Sequence, residues 1–421
     1  MPAARSFGFG GVRGRAAALG GAVLLSFAAS ALARGGDWAS HLFGLLTQAV
    51  PWAPLVVTPL AFGAVAWATV RFFPASKGSG IPQVIAACHE AGHRGASDHV
   101  SPLISLPVAG FKFACTIVML LAGAAVGREG PSVQIGAAVM AAAHRWLKRP
   151  IGAGVIIAGG AAGVSAAFNA PLAGIAFAIE ELASAYEQRV ALLVMAAVMV
   201  SGVVSLGISG DYVYFGAVSE SLPLPVMLIA APLAGLVGGA LGGLFSRALI
   251  AMAWTRNGPI AWVRARPVRW ALAMGVIVAV TGWASGMTWG TGYGTTRALL
   301  MGGHAPLLVG PLRFVATLAT ALSGVPGGIF APSLSVGAGL GQFLALAFPS
   351  QPSGALVLLG MAGYFTGVVR APLTSVIIMT EMTANRTLIL PLFATALIAD
   401  WASAQVCKPK LYHALSRRFE A

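Results

Sequence analysis

The chain has 421 residues, 57% of them hydrophobic and only 9% charged, with a mean hydropathy of +0.84. These values exclude a soluble domain or a disordered chain and leave an integral membrane protein. The formal charge of +14 gathers in the N-terminal stretch to Arg34, at 145–149, at 256–269 and at the C-terminus, the pattern of basic cytoplasmic loops and tails rather than of a nucleic-acid surface.

The chain opens on a basic start, residues 1–15, with Arg5, Arg13 and Arg15, followed by an apolar stretch that ends at Ala31-Leu32-Ala33. This imitates a secretory signal, yet the same stretch between Arg15 and Arg34 also suits a first membrane helix, and further spans follow. Apolar blocks at about 16–33, 51–73, 102–126, 130–143, 151–167, 171–186 and 190–208 form a first membrane repeat over 16–208. A connecting region over 209–269 holds a loop at 209–221, an apolar block near 225–253 and a basic connector at 255–269. Blocks near 270–286, 307–323, 331–348, 354–369, 371–383 and 387–406 form a second repeat over 270–407, before a tail at 408–421. Nearly all of these blocks are rich in Ala, Gly, Val and Leu, which predicts helices packed through small residues, some tilted and some ending inside the membrane. The polar stretch from His89 to His99 is expected to be a surface loop. Cys88, Cys115 and Cys407 lack the spacing of a metal site or a disulfide framework and read as packing residues.

Two passages match at a shift of 201 residues: GREGPSVQIG at 127–136 and GIFAPSLSVG at 328–337. The same shift carries Ala170-Pro171-Leu172 onto Ala371-Pro372-Leu373 and Glu180 onto Glu381. Repeats spanning half of a hydrophobic chain, with Gly/Pro breaks, mark a transporter whose site lies between related halves. A helix that ends within the bilayer frees backbone N–H groups, and helix N-termini add partial positive charge, so several aimed at one point suit an anion. Three segments qualify: Gly78-Ser79-Gly80-Ile81-Pro82, Gly127 to Pro131, and Gly327-Gly328-Ile329-Phe330-Ala331-Pro332. Taken singly, each is first a helix break or packing site; together they point to a ligand.

Glu129 stands in an apolar neighbourhood before Gly130-Pro131, and Glu180-Glu181 end the run PLAGIAFAI. Carboxylates at such depth are expensive unless paired or functional, and groups able to take up protons there suit a proton relay. The plain alternative for Glu129 is a salt bridge to Arg128 or an acid at a helix N-terminus. Glu180, with its mate Glu381, suggests a shared architectural task such as capping. Glu181 corresponds to Met382, and an acid present in one half only is the better functional candidate.

His89-Glu90-Ala91-Gly92-His93 matches the HExxH pattern of zinc proteases, but Gly92 and Gly95 weaken the helix it requires and no third ligand follows. No phosphate loop or nucleophile arrangement occurs, so neither an enzyme nor a cofactor is expected.

The Gly-Ser-Gly-Ile-Pro run, GREGP at 127–131, GGIFAP at 327–332 and the tyrosine after Lys408-Pro409, in this order and over nearly the whole chain, resemble the signature set of the CLC family of chloride channels and transporters. The resemblance implies an all-α polytopic membrane protein of two related, inverted halves with tilted and broken helices. It also implies a multi-pass homodimer in the lipid bilayer, each subunit with its own anion pathway, and the lack of a CBS-like domain after Cys407 resembles compact prokaryotic members of the bacterial inner membrane. Ser79 resembles the serine whose hydroxyl donates to a central chloride, and Tyr412 the tyrosine that does the same, although in the run Lys408-Pro409-Lys410-Leu411-Tyr412 it stands one residue farther from the proline than in many family members. The amides of Ile329 and Phe330, and those around Gly80 and Ile81, would complete the chloride site. Glu129 resembles the external gating glutamate, and Glu181 the inward-facing acid of the antiporters. Ser79 points to chloride, since nitrate-preferring relatives carry proline there and fluoride-selective ones depart from the motif. The expected activity is chloride/proton antiport; a passive CLC-type chloride channel is the alternative.

Overall fold

The computed structural model describes residues 11–182, 188–210, 212–255 and 257–420, and they are overwhelmingly helical. The first half comprises α1 (Val12–Ala49), α2 (Pro54–Phe72), α3 (Ile81–Arg94), α4 (Leu106–Leu121), α5 (Glu129–Trp146), α6 (Ala153–Phe168), α7 (Pro171–Phe177) and α8 (Gln188–Ser209). The rest comprises α9 (Leu224–Trp254), α10 (Gly258–Arg264), α11 (Pro267–Ser285), α12 (Tyr293–Leu300), α13 (Val309–Ser323), α14 (Phe330–Ala347), α15 (Ser353–Val369), α16 (Pro372–Thr383), α17 (Ile389–Val406) and α18 (Leu411–Glu420). Among the described residues, seven helices are long and apolar enough to cross a membrane, and four shorter apolar helices of 10–17 residues accompany them. Proline opens α2, α7, α11 and α16, where its missing N–H has no partner to lose.

The shift of 201 read from the sequence recurs in the backbone. It carries the first residue of α5 onto that of α14 and the first of α7 onto that of α16. It also carries details of conformation: Gly123 and Gly324 are both left-handed (φ 73° and 76°), and so are Asn169 and Arg370, which end α6 and α15 (φ 53° and 60°). Mates then touch their mates. Gly127 N donates to Gly328 O at 2.7 Å and Gly328 N to Gly127 O at 2.8 Å, an antiparallel bridge between equivalent residues. The carboxylate of Glu180 accepts from the amides of Leu373 (3.1 Å) and Thr374 (2.7 Å), and that of Glu381 from the amides of Leu172 (3.0 Å) and Ala173 (2.7 Å). Such reciprocal pairs are the signature of a twofold relation, and each acid caps the N-terminus of the other half's short helix. The architectural task expected of Glu180 and Glu381 is this exchange of caps.

Two expectations are corrected. His89 to Arg94 is the last turn and a half of α3, not loop. Gly92 weakens a helix only modestly, and here it is outweighed: His93 Nδ1 lies 2.8 Å from His89 O, Glu90 pairs with Arg94 at 3.3 Å, and His89 Nδ1 lies 2.8 Å from Glu420 Oε1 on α18. The first helix does not stop at residue 33 but runs to Ala49. Its charged residues find partners instead of ending it: Arg34 donates to Ile208 O (2.7 Å) and Asp37 pairs with Arg128 (2.8 Å). At 1.5 Å per residue α1 is about 57 Å long, well beyond a hydrocarbon core of about 30 Å. Cys88, Cys115 and Cys407 are free and buried, as packing residues should be.

Candidate anion and proton site

The three glycine-rich segments converge. Gly327 N donates to Gly78 O at 3.1 Å, tying the loop before α14 to the loop before α3, while the Gly127–Gly328 bridge ties in the loop before α5. A methyl group at Gly130 would strike Ser79 Oγ and the Ser79 carbonyl, and one at Gly328 would meet Gly127 and the Gly130 amide. Glycine is required here by close approach of backbone to backbone, and what the approach achieves is three helix N-termini, α3, α5 and α14, at one place. The first amides of each helix have no carbonyl within the helix to bond. Lys112, wholly buried on α4, steadies the arrangement by donating to Gly78 O at 2.9 Å.

Ser79 and Tyr412 both line a cavity of about 670 Å³ that is also lined by Lys77, Ile329, Arg264 and Arg418. Both hydroxyls are buried, face each other, and meet no acceptor of the chain at full hydrogen-bond geometry. Two orphaned O–H donors beside free helix-end amides form a donor set with no acceptor of its own, which a small anion would satisfy. Cations and no carboxylates line this cavity among the described residues, so its field favours anions. Tyr412 reaches the floor despite its extra residue of spacing, because α18 begins at Leu411 and its first turn presents the ring inward, 6.0 Å from the ring of Phe330. Gly80, left-handed at φ 105°, ends the loop and lets Ile81 start α3 beside Ser79.

Glu129 is completely buried at the start of α5. Its Oε2 accepts from the amide of Ala331 at 3.4 Å, a long bond, and its Oε1 has no partner. The carboxylate therefore stands at the N-terminus of α14, where free amides await negative charge. It makes no ion pair with Arg128 among the described residues: that guanidinium is held by Asp37 Oδ1 and by Ala33 O, each at 2.8 Å. The salt-bridge alternative for Glu129 is thereby corrected; α1 has taken the arginine.

Glu181 lies on a single π-helical turn, residues 178–182, that continues α7. It is 1% exposed and neither oxygen has a hydrogen-bond partner; Lys410 Nζ is 3.8 Å from Oε1. Phe177, one turn earlier, packs its ring 5.9 Å from that of Phe330, and Phe168 and Phe365 lie 6.2 and 4.9 Å from the same ring. Phe330, fully buried, is thus the hub of an aromatic cluster that Tyr412 joins from the cavity side. Asp37, Lys112 and the Phe330 cluster were not singled out from the sequence. Lys112 carried a signal, a lone cation within the apolar block 102–126; Asp37 and the phenylalanines carried none.

The family model described as voltage gated chloride channel matches residues 61–404. The chain belongs to that family, the CLC proteins. It is 33% identical over 411 residues to the H(+)/Cl(-) exchange transporter ClcA of Yersinia pseudotuberculosis serotype IB (strain PB1/+), covering 91% of this chain and 83% of that one. The ClcA exchange transporter of Citrobacter koseri is 30% identical over 405 residues, at 90% and 83% coverage. Among solved structures, a slow cyanobacterial Cl-/H+ antiporter superposes with a TM-score of 0.81 at 25% identity, covering 97% of this chain and 98% of that one. A CLC-type fluoride/proton antiporter has the same fold, with a TM-score of 0.77 at 20% identity over 96% and 99% of the two chains. The all-helical CLC fold places this CLC protein among multi-pass membrane proteins, as its apolar helices require.

Proposed function

We propose that this CLC protein exchanges chloride for protons across the bacterial inner membrane, as a homodimer whose subunits each carry a pathway. The observation that supports it most is the position of Glu129: its carboxylate takes a long hydrogen bond from Ala331 at the mouth of α14 while one oxygen remains unpaired. An ionised carboxylate so placed occupies an anion's position among free amides, and a protonated one gives it up. Chloride is held by the hydroxyls of Ser79 and Tyr412 and by the amides of Ile329 and Phe330, with those of Gly80 and Ile81 adding to the field. Neutral donors in place of a contacting ammonium hold the ion without trapping it, which turnover requires. Glu181, buried beside Tyr412 and reached by Lys410 from the tail, passes protons between the inner solution and Glu129. The driving force is the two gradients, each ion's movement promoting the other's.

The test is the reversal potential of purified protein in liposomes, with the chloride gradient fixed and the proton gradient varied. Exchange shifts the reversal potential with the proton gradient; a passive channel stays at the chloride equilibrium value. Glu129→Gln, a stand-in for the protonated acid, is expected to keep chloride movement and abolish the proton dependence. Coupled proton flux surviving in that variant removes Glu129 from the role.

A further inference from the structure

Lys410 stands between Pro409 and Tyr412, and it is the only cation within ion-pair distance of Glu181 among the described residues. The other charged groups near that acid are already engaged. Glu180 caps α16 through Leu373 and Thr374, and Arg370 is held by Asp400 Oδ1 (2.9 Å) and by the Lys408 carbonyl (2.8 Å). Of the helices packed against the π turn, α6 carries no titratable side chain; on α3, Cys88 is an uncharged thiol, His89 turns to Glu420, Glu90 to Arg94 and His99, and His93 to its own backbone. The phenol of Tyr412 is the remaining titratable neighbour. The Lys410–Glu181 distance of 3.8 Å is an ion pair without a hydrogen bond, and the lysine side chain is 37% exposed while the acid is sealed.

We infer that Lys410 is a positioning residue that links the charge of Glu181 to the placement of Tyr412, so that proton transfer at the acid is felt at the chloride site. When Glu181 is ionised, the pair draws the segment 408–411 against the π turn, and Tyr412, two residues on, is held at the cavity floor. When Glu181 takes a proton the attraction ends, and the segment keeps the Arg370–Lys408 bond at the end of α15 and the buried side chain of Leu411 but loses its tie to the π turn. The mate of Glu181 in the second half, Met382, has no charge to report, so the device belongs to one half only.

This inference rests on the reading of Glu181 as the inner proton-transfer acid, and the experiment separates the two. In liposomes containing the full chain, Lys410→Gln and Lys410→Met are expected to lower coupled proton flux about tenfold and to loosen the chloride-to-proton ratio, and chloride binding by calorimetry is expected to weaken about threefold because Tyr412 is no longer held in place. Lys410→Arg should restore the ratio. On a Glu181→Gln background, Lys410→Gln should change neither flux further, since the charge it answers is gone. If Glu181→Gln uncouples the ions but both neutral Lys410 variants exchange at the normal ratio and rate, or if Lys410→Arg is as impaired as Lys410→Gln, the linkage is wrong and the proton role of Glu181 stands. If Glu181→Gln itself exchanges normally, the underlying reading fails. The lysine side chain is more than a third exposed, so its variants are expected to fold; the melting temperature in detergent checks that each one has.

Discussion

The loop Gly78-Ser79-Gly80 enters α3 as the loop Gly290-Thr291-Gly292 enters α12. In both, the two glycines are left-handed, at φ 67° and 105° in the first and 59° and 79° in the second, and the helix starts at the next residue. In both, a buried cation from a neighbouring helix donates to loop carbonyls, and the cations, Lys112 and Arg313, are themselves mates at the shift of 201. So are the residues that crowd the second glycine of each loop, Gln134 and Ser335. The loops differ in what they leave free. Lys112 answers one carbonyl, that of Gly78, and the Ser79 hydroxyl makes no full hydrogen bond in the chain and faces the cavity. Arg313 answers three, those of Thr288 (2.7 Å), Trp289 (3.3 Å) and Gly290 (2.7 Å), and the Thr291 hydroxyl is turned back onto the Tyr293 amide at 3.3 Å. One duplicated scaffold has thus been left open in one half and closed with internal hydrogen bonds in the other.

The largest effect is expected where the closed loop loses its cation. Arg313→Met leaves three carbonyls without their donor in a buried setting, at about 1–3 kcal/mol each, and should collapse the melting temperature in detergent or prevent recovery of folded protein. Lys112→Met removes one such bond and should cost roughly a third as much, but it also loosens the backbone next to Ser79, so transport should fall more than stability. A Lys112 variant as unstable as the Arg313 variant would show that both cations are structural in the same degree, and the contrast between the loops would weaken.

Ser79→Ala sharpens the other side. Its hydroxyl makes no full hydrogen bond in the chain and only faces that of Tyr412, so stability should hardly move, whereas chloride affinity by calorimetry should drop about tenfold, the equivalent of about 1.4 kcal/mol for one lost donor. Unchanged chloride affinity would remove Ser79 from the anion site.

Much of this was legible in the sequence because the repeat was. Glycine and proline in apolar segments announce broken helices, so the three segments around Ser79, Glu129 and Phe330 stood out, and mates such as Glu180 and Glu381 announced a common task whose form, the exchange of caps, only the fold displays. What stayed hidden is long-range pairing between residues with no pattern of their own. Nothing about Asp37 says that it will take Arg128 away from Glu129, and nothing about Lys410 beyond the odd spacing of its motif says that it will reach Glu181. The helical end of α3 was missed for a related reason: its polar residues read as loop until Glu420, at the far end of the chain, is seen to hold His89. The kinship of the two Gly-hydroxyl-Gly loops escaped because they stand 212 residues apart, out of step with the shift of 201 that relates the rest.

The smallest expected effect is the most telling. Thr291→Val keeps the shape of the side chain and removes the hydroxyl, so it deletes one exposed-edge turn bond, worth about 0.5–1.5 kcal/mol, and nothing else. Chloride affinity and the exchange ratio should be those of the unaltered protein. Ser79→Ala and Thr291→Val would then be equivalent deletions on equivalent loops with opposite readouts, one in binding and one in stability. The outcome that breaks the comparison is a fall in chloride affinity in Thr291→Val that matches Ser79→Ala. In that case the threonine hydroxyl leaves the Tyr293 amide to meet an anion, the closed loop is closed only when empty, and the duplicated scaffold holds ions at both ends of the pathway.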